Sequence, residues 1–218
     1  RTVFRLAQHQ DRNRGSLDLA LQRIRSSAEE FVEHGLLPED DVDPILARIS
    51  TSTRLEDAEG AALVIEALSD DIELKRETLR MLDGICPPSA ILASTSGRPT
   101  SSLVGGVAHR DRVIATHFWY PPQLLPLVEV CAGPETSPET TLRTCELLRG
   151  AGRDPVVIDK EIDGFIGNRI QFAALREAWS LWASGVASAS TIDAVMRNGI
   201  GRRYAVTGPI ESADLAGL

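Results

Sequence analysis

Short apolar runs alternate with stretches of helical periodicity along most of the chain, and this alternation limits the fold more than any other feature. The runs fall at residues 2–6, 61–67, 90–93, 113–115, 127–130 and 155–158. Between the first two, Leu17, Leu21, Ile24, Ala28 and Phe31 lie at steps of four, three, four and three, which set one apolar stripe on a helix ended by Gly35 and Pro38. Ile72, Leu79, Met81 and Leu82 mark a second helix stopped by Pro87 and Pro88, and residues 140–148 a third. Strands alternating with helices predict βαβ units, hence a mainly parallel α/β sheet with helices on both faces. After Asp163 and Gly164 the pattern changes to a long apolar-rich helix over residues 165–183 and another over 190–198. Two domains are expected, residues 1–162 and an all-helical part over 163–218.

Composition narrows the partners. Thirty-one acidic against 23 basic residues give a net charge of −8, which argues against non-specific binding to nucleic acid or to an anionic membrane. No run reaches the ~18 apolar residues of a membrane span, and the first residues lack a signal-peptide pattern. Cys86, Cys131 and Cys145 show neither CxxC nor zinc-ligand spacing, and an odd count suits reduced thiols in a cytoplasm.

Four segments carry polar groups with chemical potential. Ser94, Thr95 and Ser96 directly follow a strand, where an open α/β sheet receives its ligands; an ordinary serine-rich turn reads the same way. His117, also at a strand end, can exchange a proton near neutral pH or sit satisfied in a loop. Glu129, flanked by Leu, Val and Val, needs a partner if buried. A glutamate orienting a histidine is the logic of general acid–base catalysis. Asn168, opening the second domain's helix, either caps it or hydrogen-bonds a substrate oxygen. Trp179 and Trp182 are read as core or subunit interface, Cys131 as buried, and His109 as part of a surface turn.

In order, VIEAL at 64–68, Lys75, STS at 94–96, HFWYPP at 117–122, PLVEV at 126–130, TSPET at 136–140, DGFIGNR at 163–169, GIGRRYAVTGPIE at 199–211 and DLAGL at 214–218 resemble the 3-hydroxyacyl-CoA dehydrogenase superfamily. The detail is most like the branch with lambda-crystallin (gulonate dehydrogenase) and carnitine dehydrogenase, which acts on small 3-hydroxy acids. The resemblance covers essentially the whole chain. It implies a Rossmann-type domain that binds NAD and a helical domain that binds substrate and forms a homodimer. His117 would be the base that takes the hydroxyl proton, and Glu129 would hold its tautomer. Ser96 and Asn168 would bind the substrate oxygen. Ala67, Asp70, Lys75, Ser96 and Tyr120 would lie against the cofactor.

The departures from the family pattern are specific. No GxGxxG occurs, so the first strand and the phosphate-binding turn are missing and both ends are expected to be cut. Tyr120 stands where the family has Asn. Aligning RTVFRLA with the family's second strand puts Ala7 at the ribose-binding acid, with Asp11 four residues later. Arg12 and Arg14 beyond it leave NADP as a less favoured cofactor. The substrate is expected to be a small hydroxy acid or an acyl-CoA. A non-catalytic relative that binds without turnover is the alternative.

Overall fold

The computed structural model describes residues 7–11 and 13–218; the apolar run at 2–6 and Arg12 lie outside the described residues. In chain order the first elements are β1 (Ala7–Gln10), α1 (Arg14–Glu33), α2 (Val42–Leu46), β2 (Ile49–Ser52), β3 (Leu63–Glu66), α3 (Ile72–Ile85) and β4 (Ile91–Ser94). There follow α4 (Thr100–Leu103), β5 (Val113–Phe118), β6 (Leu127–Ala132), α5 (Pro138–Gly150) and β7 (Asp154–Ile158). The last elements are α6 (Phe165–Ala183), α7 (Ala189–Asn198), α8 (Ile200–Tyr204) and α9 (Pro209–Leu215).

β1 and β2 form a parallel pair, and the remaining strands form a sheet in the order β3-β4-β5-β6-β7. Its ladders are parallel except β5 with β6, which is antiparallel. That exception follows from chain length, since residues 119–126 are fewer than the roughly 12 that a parallel crossover needs. The helices begin where the sequence offers caps. Asn13 accepts from the Gly15 N–H at 2.9 Å, Asp71 from Glu73 and Leu74, and Ser137 from Thr140 at 3.0 Å with Pro138 in the first turn.

Side-chain alternation divides the core into layers. Leu92 and Val113 point to one face of the sheet, where Leu79, Leu82 and Leu103 cover them. Ile91, Ala93, Ile114, Val128 and Val130 point to the other, against Cys145 and Leu148 of α5. With β4 buried on both faces, the continuous AILA run has its physical reason. By the same period of two, Ala115 and His117 share a face, and so do Glu129 and Cys131. On that face Ala115, Cys131, Ile158 and Phe165 make a third small cluster.

The chain divides into two compact units, the first ending at Phe165 and the second running from Ile166 to Leu218. The second is helical, with Ser188 capping α7 through Thr191 at 3.2 Å. Trp179 and Trp182 are 54% and 58% exposed, so neither is a core residue of this chain. No described helix is long and apolar enough to cross a membrane.

Candidate active site

The antiparallel pairing of β5 with β6 sets His117 directly opposite Glu129. Cross-strand partners on one face have Cβ atoms about 5 Å apart, close enough for a direct side-chain bond. His117 Nδ1 lies 2.9 Å from Glu129 Oε2. A carboxylate only accepts, so with Glu129 in that form the proton of this bond sits on Nδ1, and a neutral imidazole then carries its lone pair on Nε2. The Glu129 side chain is 5% exposed and that of His117 16%, so the pair is buried on the carboxylate side and open on the imidazole side.

Aromatic rings hold the imidazole. Trp119 meets it edge-on with centroids 6.1 Å apart, and Phe165 does so at 5.8 Å. Phe165 is fully buried and has φ of 48°, directly after Gly164 at 74°. A bulky residue in the left-handed region is strained and persists only where its surroundings impose it. Here the Gly164 N–H donates to the Gly97 carbonyl at 2.9 Å, and the Phe165 ring fills the third cluster. Thr100, on the short α4, bridges the two strands: its buried Oγ1 accepts from Ala115 N and donates to the Cys131 carbonyl.

Ser96 is buried two residues past β4. Because β4 and β5 are parallel with Ser94 opposite Ala115, Ser96 and His117 both lie at the carboxyl ends of neighbouring strands. The Ser96 Oγ accepts from the Arg98 N–H at 3.3 Å. Arg98 in turn makes a two-point contact with Asp70, at 2.8 and 3.0 Å. Those hydrogen bonds, helped by the charges of Arg98 and Lys75, hold the exposed Asp70 carboxyl below its usual range against the opposing effect of desolvation. Ala67 is exposed just past β3, and Tyr120 is 88% exposed. Asn168 lies in the first turn of α6, in the second unit.

The surroundings of two expected cofactor positions are specific. Lys75, expected to face the cofactor, has its ammonium buried against Glu66 Oε1 at 2.8 Å and the Leu68 carbonyl at 2.9 Å. Glu66 Oε2 also accepts from Ser94 Oγ at 2.5 Å. The reason is burial: Glu66 is 4% exposed and needs a cation, and α3 carries Lys75 to it. The second is the ribose position, aligned with Ala7: Ala7 lies in β1, and Asp11 is the first residue past that strand's last residue, Gln10. Sequence reasoning also missed Trp119 and Thr100. The spacing of His117 and Trp119, two apart at a strand end, was the available signal for the first.

A mainly parallel sheet covered by helices, with polar side chains gathered at the carboxyl ends of its strands, defines a Rossmann-type α/β domain followed by a helical unit. Residues 7–162 match the NAD-binding domain of 3-hydroxyacyl-CoA dehydrogenase, and residues 164–218 match that enzyme's C-terminal domain. The chain belongs to the 3-hydroxyacyl-CoA dehydrogenase family. It is 40% identical over 199 residues to lambda-crystallin of Oryctolagus cuniculus, covering 90% of this chain and 62% of the relative. It is 37% identical over 172 residues to L-carnitine dehydrogenase of Streptomyces griseus, covering 78% of this chain and 51% of that one. Among solved structures, 5-formyl-3-hydroxy-2-methylpyridine 4-carboxylic acid 5-dehydrogenase, an NAD+-dependent dismutase, superposes with a TM-score of 0.84 at 30% identity. That match covers 96% of this chain and 67% of the other. The chain thus spans about three-fifths of the lambda-crystallin it matches.

Proposed function

We propose that this chain carries the acid–base half of an NAD-dependent dehydrogenase that oxidises small 3-hydroxy acids to 3-oxo acids. The observation that carries the reading is the 2.9 Å contact of His117 Nδ1 with the buried Glu129, which leaves Nε2 uncommitted to that carboxylate in a side chain that is 16% exposed. His117 Nε2 takes the proton of the substrate hydroxyl, and Glu129 offsets the charge of the imidazolium that forms. Ser96 donates its hydroxyl to the substrate oxygen. Asn168 is assigned the same oxygen on the DGFIGNR motif alone.

The residues at the strand ends fit NAD, which when bound accepts the hydride from the carbinol carbon. Exposed Ala67 leaves room at the end of β3, and Tyr120 is assigned to the cofactor on the HFWYPP motif. Asp11, exposed and first beyond β1, suits the two ribose hydroxyls, as an acid at the end of that strand does in dinucleotide-binding sheets. This favours NAD over NADP, and Arg14 reaches Thr51 Oγ1 at 3.2 Å. Lys75 acts by shape, tying Glu66 to the Leu68 carbonyl and so fixing the turn that presents Ala67 and Asp70.

A homodimer through the helical unit is supported by exposed Phe172, Trp179 and Trp182. Light scattering on the purified protein checks it, a monomer at micromolar concentration being the contrary result. Three buried, unpaired thiols fit a reducing cytoplasm. Neither nucleic acid nor membrane is among the partners proposed.

The test of the activity is reduction of NAD, followed by absorbance, with a panel of free 3-hydroxy acids against 3-hydroxyacyl-CoA thioesters. A kcat/KM at least about tenfold higher for a free acid is expected, a difference of about 1.4 kcal/mol in transition-state binding. Preference for the thioester moves the reading to 3-hydroxyacyl-CoA dehydrogenase proper. Binding of a hydroxy acid without any turnover favours the non-catalytic relative.

A further inference from the structure

Trp119 lies two residues past His117, where the chain continues beyond β5. Its indole Nε1–H donates to Glu129 Oε2 at 3.3 Å, the same oxygen that lies 2.9 Å from His117 Nδ1. The indole ring also stands edge-on to the imidazole, at an interplanar angle of 68°. One carboxylate oxygen therefore has both rings of the His-Phe-Trp segment as donors, and it has two lone pairs to receive them.

We propose that Trp119 is a positioning residue for the His117–Glu129 pair, acting through the carboxylate oxygen that it shares with the histidine. The terminal torsion of Glu129 is broad and two-fold, so burial alone does not select which oxygen faces His117. An indole N–H is a donor that cannot reverse its role. Anchoring Oε2, it keeps that oxygen an acceptor and holds it where Nδ1–H must point. The histidine tautomer with a free Nε2 is thereby favoured before substrate arrives, which is preorganisation of the proton acceptor. Phe165, strained in its backbone and edge-on to the same imidazole, restricts the ring from a second contact. The proposal rests on the dehydrogenase reading for its kinetic consequence but not for the contact itself.

The experiment is a cycle of Trp119→Phe, Glu129→Gln and the double variant, read by kinetics and by NMR. Phenylalanine keeps an aromatic edge, removes the donor and shortens the ring system, so the cycle with Glu129→Gln separates the lost donor from the lost volume. Trp119→Phe is expected to lower kcat about 5- to 20-fold with KM for the hydroxy acid changed less than about twofold. In the Glu129→Gln background it should cost almost nothing more, because the group it acts through has changed. Losses that multiply independently would overturn the proposal.

The spectroscopic arm does not need turnover. The Trp119 indole proton should exchange slowly and shift on Glu129→Gln, while those of exposed Trp179 and Trp182 serve as unmoved controls. The ring nitrogens of His117 should show one dominant tautomer in the wild type and a mixture in Trp119→Phe. An indole proton that exchanges as fast as the controls and ignores Glu129→Gln defeats the proposal. The NMR signature in a protein without turnover instead supports the anchoring contact and sinks the dehydrogenase reading.

Discussion

Two buried carboxylate clusters at the strand ends of the sheet have the same kind of partners and differ in solvent access. Glu66 of β3 holds Lys75, and Glu129 of β6 holds His117; each carboxylate also accepts a second side-chain donor, Ser94 in one case and Trp119 in the other. The first pair is sealed, with side-chain exposures of 3% for Lys75 and 1% for Glu66. The second is less closed at its imidazole, with His117 at 16%. A sealed pair can only hold the chain in place, since nothing reaches it. An open one whose partner is an imidazole can pass a proton to a ligand that reaches it. Solvent access at the cation, rather than the pairing itself, separates the structural cluster from the candidate chemistry.

The largest effect expected is kinetic and belongs to the open pair. His117→Asn keeps a donor for Glu129 but removes the base, so kcat should fall roughly 10²–10⁴-fold. Unfolding free energy in urea should move by less than about 1 kcal/mol, the usual range for a change that leaves no buried group unpaired. Loss of folding with intact activity in the remaining folded fraction would erase the distinction between the clusters. The sealed pair should behave in the opposite way. Glu66→Ala strands the Lys75 ammonium and should destabilise by about 3–5 kcal/mol, while Glu66→Leu with Lys75→Met should recover most of that loss. Equilibrium unfolding of the three variants checks it; equal destabilisation by the single and double changes would show that packing and not charge governs the site.

These clusters also mark how far the sequence could be read. The run from Phe165 to Ala183 was legible as one helix because it is long, apolar-rich and set off by Asp163 and Gly164. The strands beginning at Leu63, Ile91 and Leu127 were legible as short apolar runs between polar turns. β2 was not, because ISTS has neither an apolar run nor a clean alternation. The direct pairing of His117 with Glu129 depends on an antiparallel ladder, whereas alternation of strands and helices predicts parallel neighbours. Chemistry suggested the pair and only the register supplies the contact. Lys75 shows the converse limit. The family resemblance alone assigns Lys75 to the cofactor, and what its ammonium meets here depends on a carboxylate nine residues earlier becoming buried.

A third buried ion pair, Arg112 with Asp83, extends the comparison, with the exposed His109 Nδ1 also 3.2 Å from Asp83 Oδ1. Arg112 donates to Asp83 Oδ1 at 3.1 Å through Nε and at 2.7 Å through Nη2, and the backbone N–H groups of Ala108 and His109 donate to Oδ2. Burial pushes the Asp83 carboxyl upward, but the hydrogen bonds and charge of Arg112 with the two N–H groups outweigh it and leave it below its usual range. A depressed carboxylate contributes stability that is fully present above its unfolded value and is lost as pH falls through the folded one. Asp83→Asn should therefore cost about 1.5–3 kcal/mol at neutral pH, the range for hydrogen bonds to charged groups. It should also flatten the acid limb of stability below about pH 4. A variant with the same acid limb as the wild type would assign that limb to other carboxylates.

The smallest effect concerns Cys131, which lies on the face of the sheet that carries Glu129 and follows it by two residues in β6. Burial, with the charges of Glu161 and Glu129 adding to it, pushes its thiol up to about 11. At pH 8 only about one molecule in a thousand then carries the thiolate, and the thiolate is the reacting form. Alkylation in the folded protein should be slow and should rise with pH well beyond the range of an ordinary cysteine, whereas urea-unfolded protein should react at the usual rate. Glu129→Gln removes one of the charges that raise the thiol, so it should speed the native reaction by a small factor, about two- to threefold, with Cys145 as the buried control at a distance in sequence. Rapid modification of Cys131 in the wild type, with Cys145 still protected, would mean that the open pair's face admits solvent beyond the imidazole. The contrast between the two clusters would then be one of local opening and not of static exposure.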